Sequence, residues 1–318
     1  MKTSFLKKGI LVLTVACILA GCSEDRPQLK DITVDKTSVS ILLGYKEQIT
    51  ALPVPSNAEN QTFEWSSENP AIVTVSRFGV IEAVDEGTTN VIVKVGSIQK
   101  TIPITVVDPI VVPAEKGLWQ FNDPTDLLKA TIGQDLAAVG EGFTPITGPS
   151  ATNRAVTVAL GSYFEVTHGI PLVPIDLVPG LMGVTQYTLL FHVRAPVLGR
   201  WYTFYKTGPQ NVGDGEVFIN TNGQIGLGAT GYSDTRMSAN VWHRVMITVN
   251  LGTSIRYYLD GELIRTSNPM DPRFILRDVF LFFADNDGDD ADIDVAELAI
   301  WDVALDNDQV RKVQRTRQ

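Results

Sequence analysis

Residues 281–310, LFFADNDGDDADIDVAELAIWDVALDNDQV, constrain the fold more than any other stretch. Residues 279–283 are a short apolar run of strand length, which suits a strand buried on both faces. Six carboxylates follow in ten residues: Asp285, Asp287, Asp289, Asp290, Asp292 and Asp294. Ala296, Leu298 and Ile300 then alternate as a second strand, closed by Trp301. Asp306 is placed to cap a helix over residues 307–315, which has acids at its start and Lys and Arg at its end. Val310 and Val313 would dock that helix on a sheet. A strand, an acidic loop, a strand and a closing helix suit a β-sandwich that ends on one docked helix.

The rest of the chain agrees. Short apolar runs lie between clusters of Gly, Pro, Asn and Asp, with 26 Gly and 17 Pro in 318 residues. Such spacing reads as many short strands, and the length suggests about two domains. The first residues are a targeting segment. Lys2, Lys7 and Lys8 precede an apolar run over residues 10–18, too short to span a membrane. Leu19-Ala20-Gly21-Cys22 then resembles a bacterial lipobox, which implies cleavage before Cys22 and lipidation of its thiol. Ser23-Glu24-Asp25 resembles the surface-export signal of Bacteroidetes lipoproteins. The resemblance implies an outer-membrane lipoprotein exposed at the cell surface, touching the membrane through its lipid alone. Residues 1–21 are then the signal and 22–28 a tether.

Loss of residues 1–21 removes three lysines and no acid, taking the formal charge from −10 to −13. Nucleic-acid binding needs the opposite sign. Cys17 leaves with the signal and Cys22 carries lipid, so the mature chain offers no thiol for a disulfide or a thiolate site. Three histidines without cysteine make zinc a poor fit. Motifs for a nucleophile elbow, a zincin or a phosphate loop are missing from the sequence.

Residues 29–108 hold seven or eight short strands, and Phe63 and Trp65 alternate onto one face, where core packing is expected. LLGYKEQITA, EWSSENPAIVTVS, FGVIEAVDEGTTNVIV and KTIPITVV occur in an order that resembles the bacterial Ig-like group 2 family. That implies an Ig-like β-sandwich, commonly a spacer. Residues 109–114, with two prolines, read as a stiff linker.

Residues 115–318 form the second domain. Residues 187–193 alternate, with Tyr187, Leu189, Phe191 and Val193 on one face. His192 points the other way and is expected to be exposed. His243 reads as a strand-end histidine. Asn222-Gly223 and Asp260-Gly261 are hairpin signals, the second suited to a type I′ turn. WHRVMITV, RYYLDGELI and VAELAIWDVALDNDQV, at their spacing here, resemble LamG jelly rolls. The resemblance implies a concanavalin-A-like sandwich that binds carbohydrate or protein. Trp201, Tyr202 and Tyr205 put aromatic rings on both faces of one strand. The face left out of the core is a candidate sugar platform, because rings cover the apolar faces of sugars.

The acidic stretch supports two chemistries. Asp292-Ile293-Asp294-Val295-Ala296-Glu297 approximates the E-x-D-x-x-E motif of laminarinase-type glycoside hydrolases. Strict alternation, however, puts Asp294 and Glu297 on opposite faces unless a bulge intervenes. The other chemistry is calcium. Six acids without Lys or Arg between them are unfavourable unless solvated or sharing a cation, and calcium takes six to eight oxygens. Asp285, Asp287, Asp289, Asp290, Asp292 and Asp294 are therefore the candidate ligands of a structural calcium. Neither the sixth nor the twelfth position suits an EF-hand, so other oxygens, such as those of residues 213–216, must complete the site. The expected function is extracellular binding of a glycan or surface protein, without catalysis, with the Ig-like domain as spacer. A purely structural surface protein is the alternative.

Overall fold

The computed structural model describes residues 27–58, 62–123, 125–286 and 290–317. The targeting segment with Cys22 lies outside them, as do Asp287 and Asp289. Among the described residues the chain is all-β but for one helix and one 3-10 turn. It divides into two compact units between Pro109 and Ile110.

In the first unit, among the described residues, Val39–Leu42, Ile98–Val107, Gly87–Val95 and Glu64–Ser67 form one sheet in that order. Lys46–Gln48, Val80–Ala83 and Val73–Val75 form a second, and Asp31–Val34 pairs with Ala51–Val54. Val39–Leu42 runs parallel to Ile98–Val107, with Val39 opposite Ile104 and Leu42 opposite Val107. Apolar side chains alternate inward: Ile41, Ile81, Val91, Val93, Ile102 and Ile104 are buried together. Phe63 and Trp65 pack against this core, as alternation suggests, but Trp65 is not enclosed by it. It is half-buried, and with Phe63 and the exposed Phe78 it lines a groove of about 520 Å³. Gly79 explains why. Its φ is +79°, and a Cβ there would meet Ile49 O at 2.4 Å and the Trp65 ring at 2.8 Å, so the indole leans against a turn that needs glycine.

Among the described residues the second unit is built on two packed sheets, with a separate short pair, Val173–Pro174 and Met182–Gly183. One has the order Phe143–Thr147, Arg154–Val158, Ile293–Trp301, Gln186–Arg194, Trp242–Asn250, Ser254–Leu259, Glu262–Ser267, with Gly117–Trp119 also on Ile293–Trp301. The other has Ala137–Val139, Tyr163–Thr167, Val279–Phe282, Tyr202–Lys206, Val217–Ile219, Gln224–Leu227 and Gly231–Arg236. Their facing sides bury one large cluster. Phe191 of the first sheet meets Phe204 at 4.9 Å and Phe282 at 5.3 Å between ring centroids. The Asp260-Gly261 turn has φ +50° and +86°, both positive as a type I′ turn requires.

The outer face of the first sheet is split. At one end Leu190, Met246, Tyr258, Ala299 and Trp301 form an apolar patch. The helix Asn307–Thr316 covers it with Val310 and Val313, capped by Asp306 in a capping box with Gln309. Residues 110–113, within the stretch that the sequence suggests as a stiff linker, are docked on this unit. Lys312 Nζ donates to Ile110 O at 2.8 Å, Gln309 Nε2 to Val111 O at 2.8 Å and Trp301 Nε1 to Pro113 O at 3.0 Å. Proline stiffness sets the shape of such a segment, but carbonyls within reach of donors decide where it lies.

Candidate functional site

The other end of that outer face carries no helix, and there the side chains turn polar. Period-two alternation puts His192 and Arg194 on the same side as Leu190, and Trp242 and Arg244 on the same side as Met246. The pairing register aligns them in two rows. In the first row Arg244 stands opposite His192, and His192 opposite Glu297. In the second, Trp242 stands opposite Arg194, Arg194 opposite Asp294, and Asp294 opposite Thr157.

Both rows exist because of one irregularity. Val193 pairs with Val295 while His192 pairs with Glu297, so the Ile293–Trp301 strand carries an extra residue at Ala296. That bulge places Asp294 and Glu297 on the same face, correcting the expectation from strict alternation.

The second row satisfies itself. Arg194 Nε and Nη2 each reach Asp294 Oδ2 at 2.8 Å, and Thr157 Oγ1 donates to Asp294 Oδ1 at 2.6 Å. The Arg194 guanidinium also lies 4.9 Å from the Trp242 ring centre, a cation–π contact. In the first row, Glu297 accepts from Gln120 Nε2 at 3.3 Å and pairs with Arg317, which also pairs with Glu115. Burial raises the Glu297 carboxyl above its ordinary value, against the hydrogen bond of Gln120 and the charge of Arg244. His192 is not the exposed histidine that the strand pattern suggests. It is 9% exposed, edge-on to Trp242 at 5.6 Å. Burial, then the Arg244 charge, push its pKa down to about 4, so it is neutral at pH 7.

Between the rows and the rim lies a cleft of about 320 Å³. Gln120, His192, Trp242, Arg244, Glu297 and Arg317 form its floor and wall, and Asn122, Pro149, Ser150 and Asn153 its rim. Asn122 is fixed there, its Oδ1 accepting from Arg154 N at 2.9 Å. This size is at the small end of ligand sites, roughly 300–1,000 Å³, and suits one or two sugar rings. Trp242 is half-buried and offers an aromatic surface beside amides and a hydroxyl.

The expected aromatic platform lies elsewhere and is closed. Tyr205 is fully buried and Tyr202 is 2% exposed. The Tyr202 hydroxyl donates to Val197 O at 2.5 Å, and the Tyr205 hydroxyl is 3.2 Å from that of Tyr187. A register shift between Thr203 and Tyr205 lets the adjacent Phe204 and Tyr205 both join the core, which alternation alone forbids. Trp201 is half-buried, packed on Phe218 at 6.0 Å and Tyr232 at 5.9 Å. These three are packing residues. Trp242 and Arg244 escaped the sequence reading, which weighed Glu297 only within a hydrolase-like motif and took His192 as exposed. The signal that could have found them is polar residues alternating with apolar ones on strands whose other face is core.

The acidic loop is partly engaged. Asp290 Oδ2 accepts from Gly161 N and Asp292 Oδ1 from Leu160 N, each at 2.9 Å, and Asp294 holds Arg194. Arg194 supplies a positive charge that the loop sequence itself lacks. Asn211 Nδ2 donates to Asp285 O at 3.2 Å, so the loop before Glu216 does meet the acidic loop. The Glu216 carboxyl group, however, turns toward Thr207, accepting from its N at 2.9 Å and its Oγ1 at 3.1 Å. Among the described residues, no group of three or more His, Cys, Asp or Glu is placed to hold a metal.

Residues 28–106 match the family profile described as Bacterial Ig-like domain (group 2), and residues 178–311 that of the Concanavalin A-like lectin/glucanases superfamily. The chain is thus a bacterial Ig-like group 2 domain followed by a concanavalin-A-like domain. No curated protein matches it. Among solved structures it is similar to the S-layer protein SbsC domains 4 and 5, at 28% identity and TM-score 0.23, over 26% of this chain and 53% of that one. It is similar to the binding domain of botulinum neurotoxin DC, solved with rat synaptotagmin II, at 18% identity and TM-score 0.45, over 64% and 52%. It is also similar to domain 4 of AbnA, a GH43 extracellular arabinanase from Geobacillus stearothermophilus solved with arabinotriose, at 17% identity and TM-score 0.43, over 63% and 98%. The chain spans about half the length of the first two.

Proposed function

We propose that this protein is a lipid-anchored extracellular binding module that holds a glycan in the outer-face cleft of its second domain, with the first domain as spacer. One observation carries the reading. The helix leaves one end of the outer face uncovered, and that end bears a half-buried tryptophan ringed by amides, a hydroxyl and charged groups. Aromatic surface beside hydrogen-bonding side chains is the chemistry that sugars require. Binding is favoured over hydrolysis. Glycosidases use two carboxyl groups flanking the bond, whereas Glu297 is the one carboxylate lining the cleft among the described residues. Asp292 and Asp294 are turned to Leu160 N and Arg194.

The basic start, apolar run and LAGC sequence support the lipid anchor at Cys22, and Glu24 and Asp25 support display on the outer membrane's external face. A structural calcium in residues 285–294 is a separate proposal, supported by the run of six acids.

The test is isothermal titration of the protein against a panel of neutral and acidic oligosaccharides, with Trp242→Ala and Asn153→Ala as variants. We expect binding that either change weakens while the melting temperature holds. Glycan binding indifferent to both changes, or none at all beside capture of a protein ligand, defeats the reading.

A further inference from the structure

The two rows of the outer face differ in one respect. Arg194, in the second row, has a carboxylate on its guanidinium and an indole against it. Arg244, in the first, has neither. It is 7% exposed, its Nε is buried without a hydrogen-bond partner, and no described residue hydrogen-bonds its guanidinium. Two acids are near enough to favour its charge, Glu297 and Asp260, and both are committed elsewhere. Glu297 is two strands away, about 10 Å by strand spacing, with its oxygens on Gln120 and Arg317. Asp260 accepts from the backbone N–H of Arg244 at 2.9 Å and sits 2.7 Å from His243 Nδ1. Neutral His192 stands between Arg244 and Glu297 and adds no competing charge.

A guanidinium has five donors in a planar fork and cannot shed its proton. Burying it without hydrogen-bonded partners is unfavourable. A buried guanidinium with no carboxylate on it favours an anionic group in the cleft onto which it opens, and the walls say what would carry that group. Trp242, Asn122, Ser150 and Asn153 suit a sugar ring more than an extended peptide.

We propose that the cleft receives an acidic saccharide, with Arg244 binding an anionic substituent on the ring. The proposal rests on the glycan reading of the cleft and adds the class of glycan. A carboxylate is the better geometric match to the planar fork, and a sulfate presents the same charge.

The experiment is titration calorimetry on the full chain in detergent. The probes are oligogalacturonate, alginate oligomers and chondroitin sulfate oligomers, each beside its carboxyl-reduced or desulfated counterpart. The variants are Arg244→Met, Arg244→Lys and Trp242→Ala, each checked by thermal melting. We expect an acidic oligomer to bind about tenfold or more tighter than its neutralised counterpart, with affinity falling as salt rises. Arg244→Met should erase that preference, Arg244→Lys should keep part of it, and Trp242→Ala should weaken both forms. Carboxyl-reduced and desulfated arms then tell a uronate from a sulfate. If acidic and neutral forms bind alike, or the preference survives Arg244→Met in a folded protein, the acidic class is wrong. The cleft reading still stands in that case, provided Trp242→Ala abolishes binding. Glycan binding unaffected by all three variants overturns both readings, as does binding of acidic peptides alone.

Discussion

His192 and Glu297 face each other across neighbouring strands, and the residue after His192 pairs two positions away from Glu297 rather than one. That single extra residue turns Asp294 to the same side as Glu297. Arg194 is thereby given a carboxylate, and the cleft acquires its acidic wall.

The Arg194–Asp294 pair should therefore matter for stability. Asp294 is 5% exposed and accepts from both Arg194 and Thr157. Asp294→Ala leaves a guanidinium and a hydroxyl without their partner. We expect a loss of about 3 kcal/mol, the low end for a broken buried pair because Arg194 keeps some solvent. Urea unfolding measures it, and a loss below about 1 kcal/mol would put the pair among ordinary surface bridges.

Trp201→Ala should destabilise the second domain and leave glycan binding unchanged. The indole packs on Phe218 and Tyr232 at the edge of the core, so the cost is about 3 kcal/mol. Binding lost at unchanged stability would restore Trp201 as a platform.

Glu216 gives the second domain a pH dependence. Burial pushes its carboxyl up to about 8, against the Thr207 hydrogen bonds and the Lys206 charge. From pH 4.5 to 8 the folded state keeps a proton that the unfolded state has lost, so stability falls as pH rises. The full slope for one group is about 1.4 kcal/mol per pH unit, and partial exposure in the pocket beside Lys206 reduces it. Glu216→Gln can keep the Thr207 hydrogen bonds without the titration. The difference in stability between variant and wild type should grow in the variant's favour across that window, and the subtraction cancels His192, which titrates oppositely at lower pH. A flat difference between pH 5 and 8 counts against a buried, protonated Glu216.

Cys22→Ala should move the protein from the detergent phase to the aqueous phase on phase partitioning. Retention in the detergent phase refutes the lipobox reading, and protection from protease on intact cells refutes surface display.

For calcium, the expected result is a higher melting temperature with the ion and a lower one with chelator, by mass action on the folded state. A melting temperature indifferent to both rules the ion out.

Much of the fold was legible in the residues. Alternation located the Gln186–Arg194 and Trp242–Asn250 strands, Asp260-Gly261 its hairpin, and Asp306, Val310 and Val313 the docked helix. The cleft was not legible, for two physical reasons. Bulges at Ala296 and beside Thr203 change which face a side chain takes, and a bulge is a property of the pair of strands, not of either alone. The rows across the sheet join residues up to 137 positions apart, and register between distant strands is invisible in local pattern. Trp201 and Tyr205 are conspicuous as aromatics, whereas the cleft face is written in single polar residues between apolar ones.

The parallel pairing of Val39–Leu42 with Ile98–Val107 bears on mechanics. One strand lies near the start of the first domain and the other ends it. A chain held at a membrane and pulled by a captured polymer bears tension between those two places. In parallel strands such tension acts along the strands in opposite senses, so the hydrogen bonds between them are sheared together instead of being peeled one by one. For a chain so anchored and so loaded, detachment would be governed by how fast that patch ruptures, not by its equilibrium stability. Pulling the first domain by its two ends should give a single high-force event, well above that for a strand pair opened from one end.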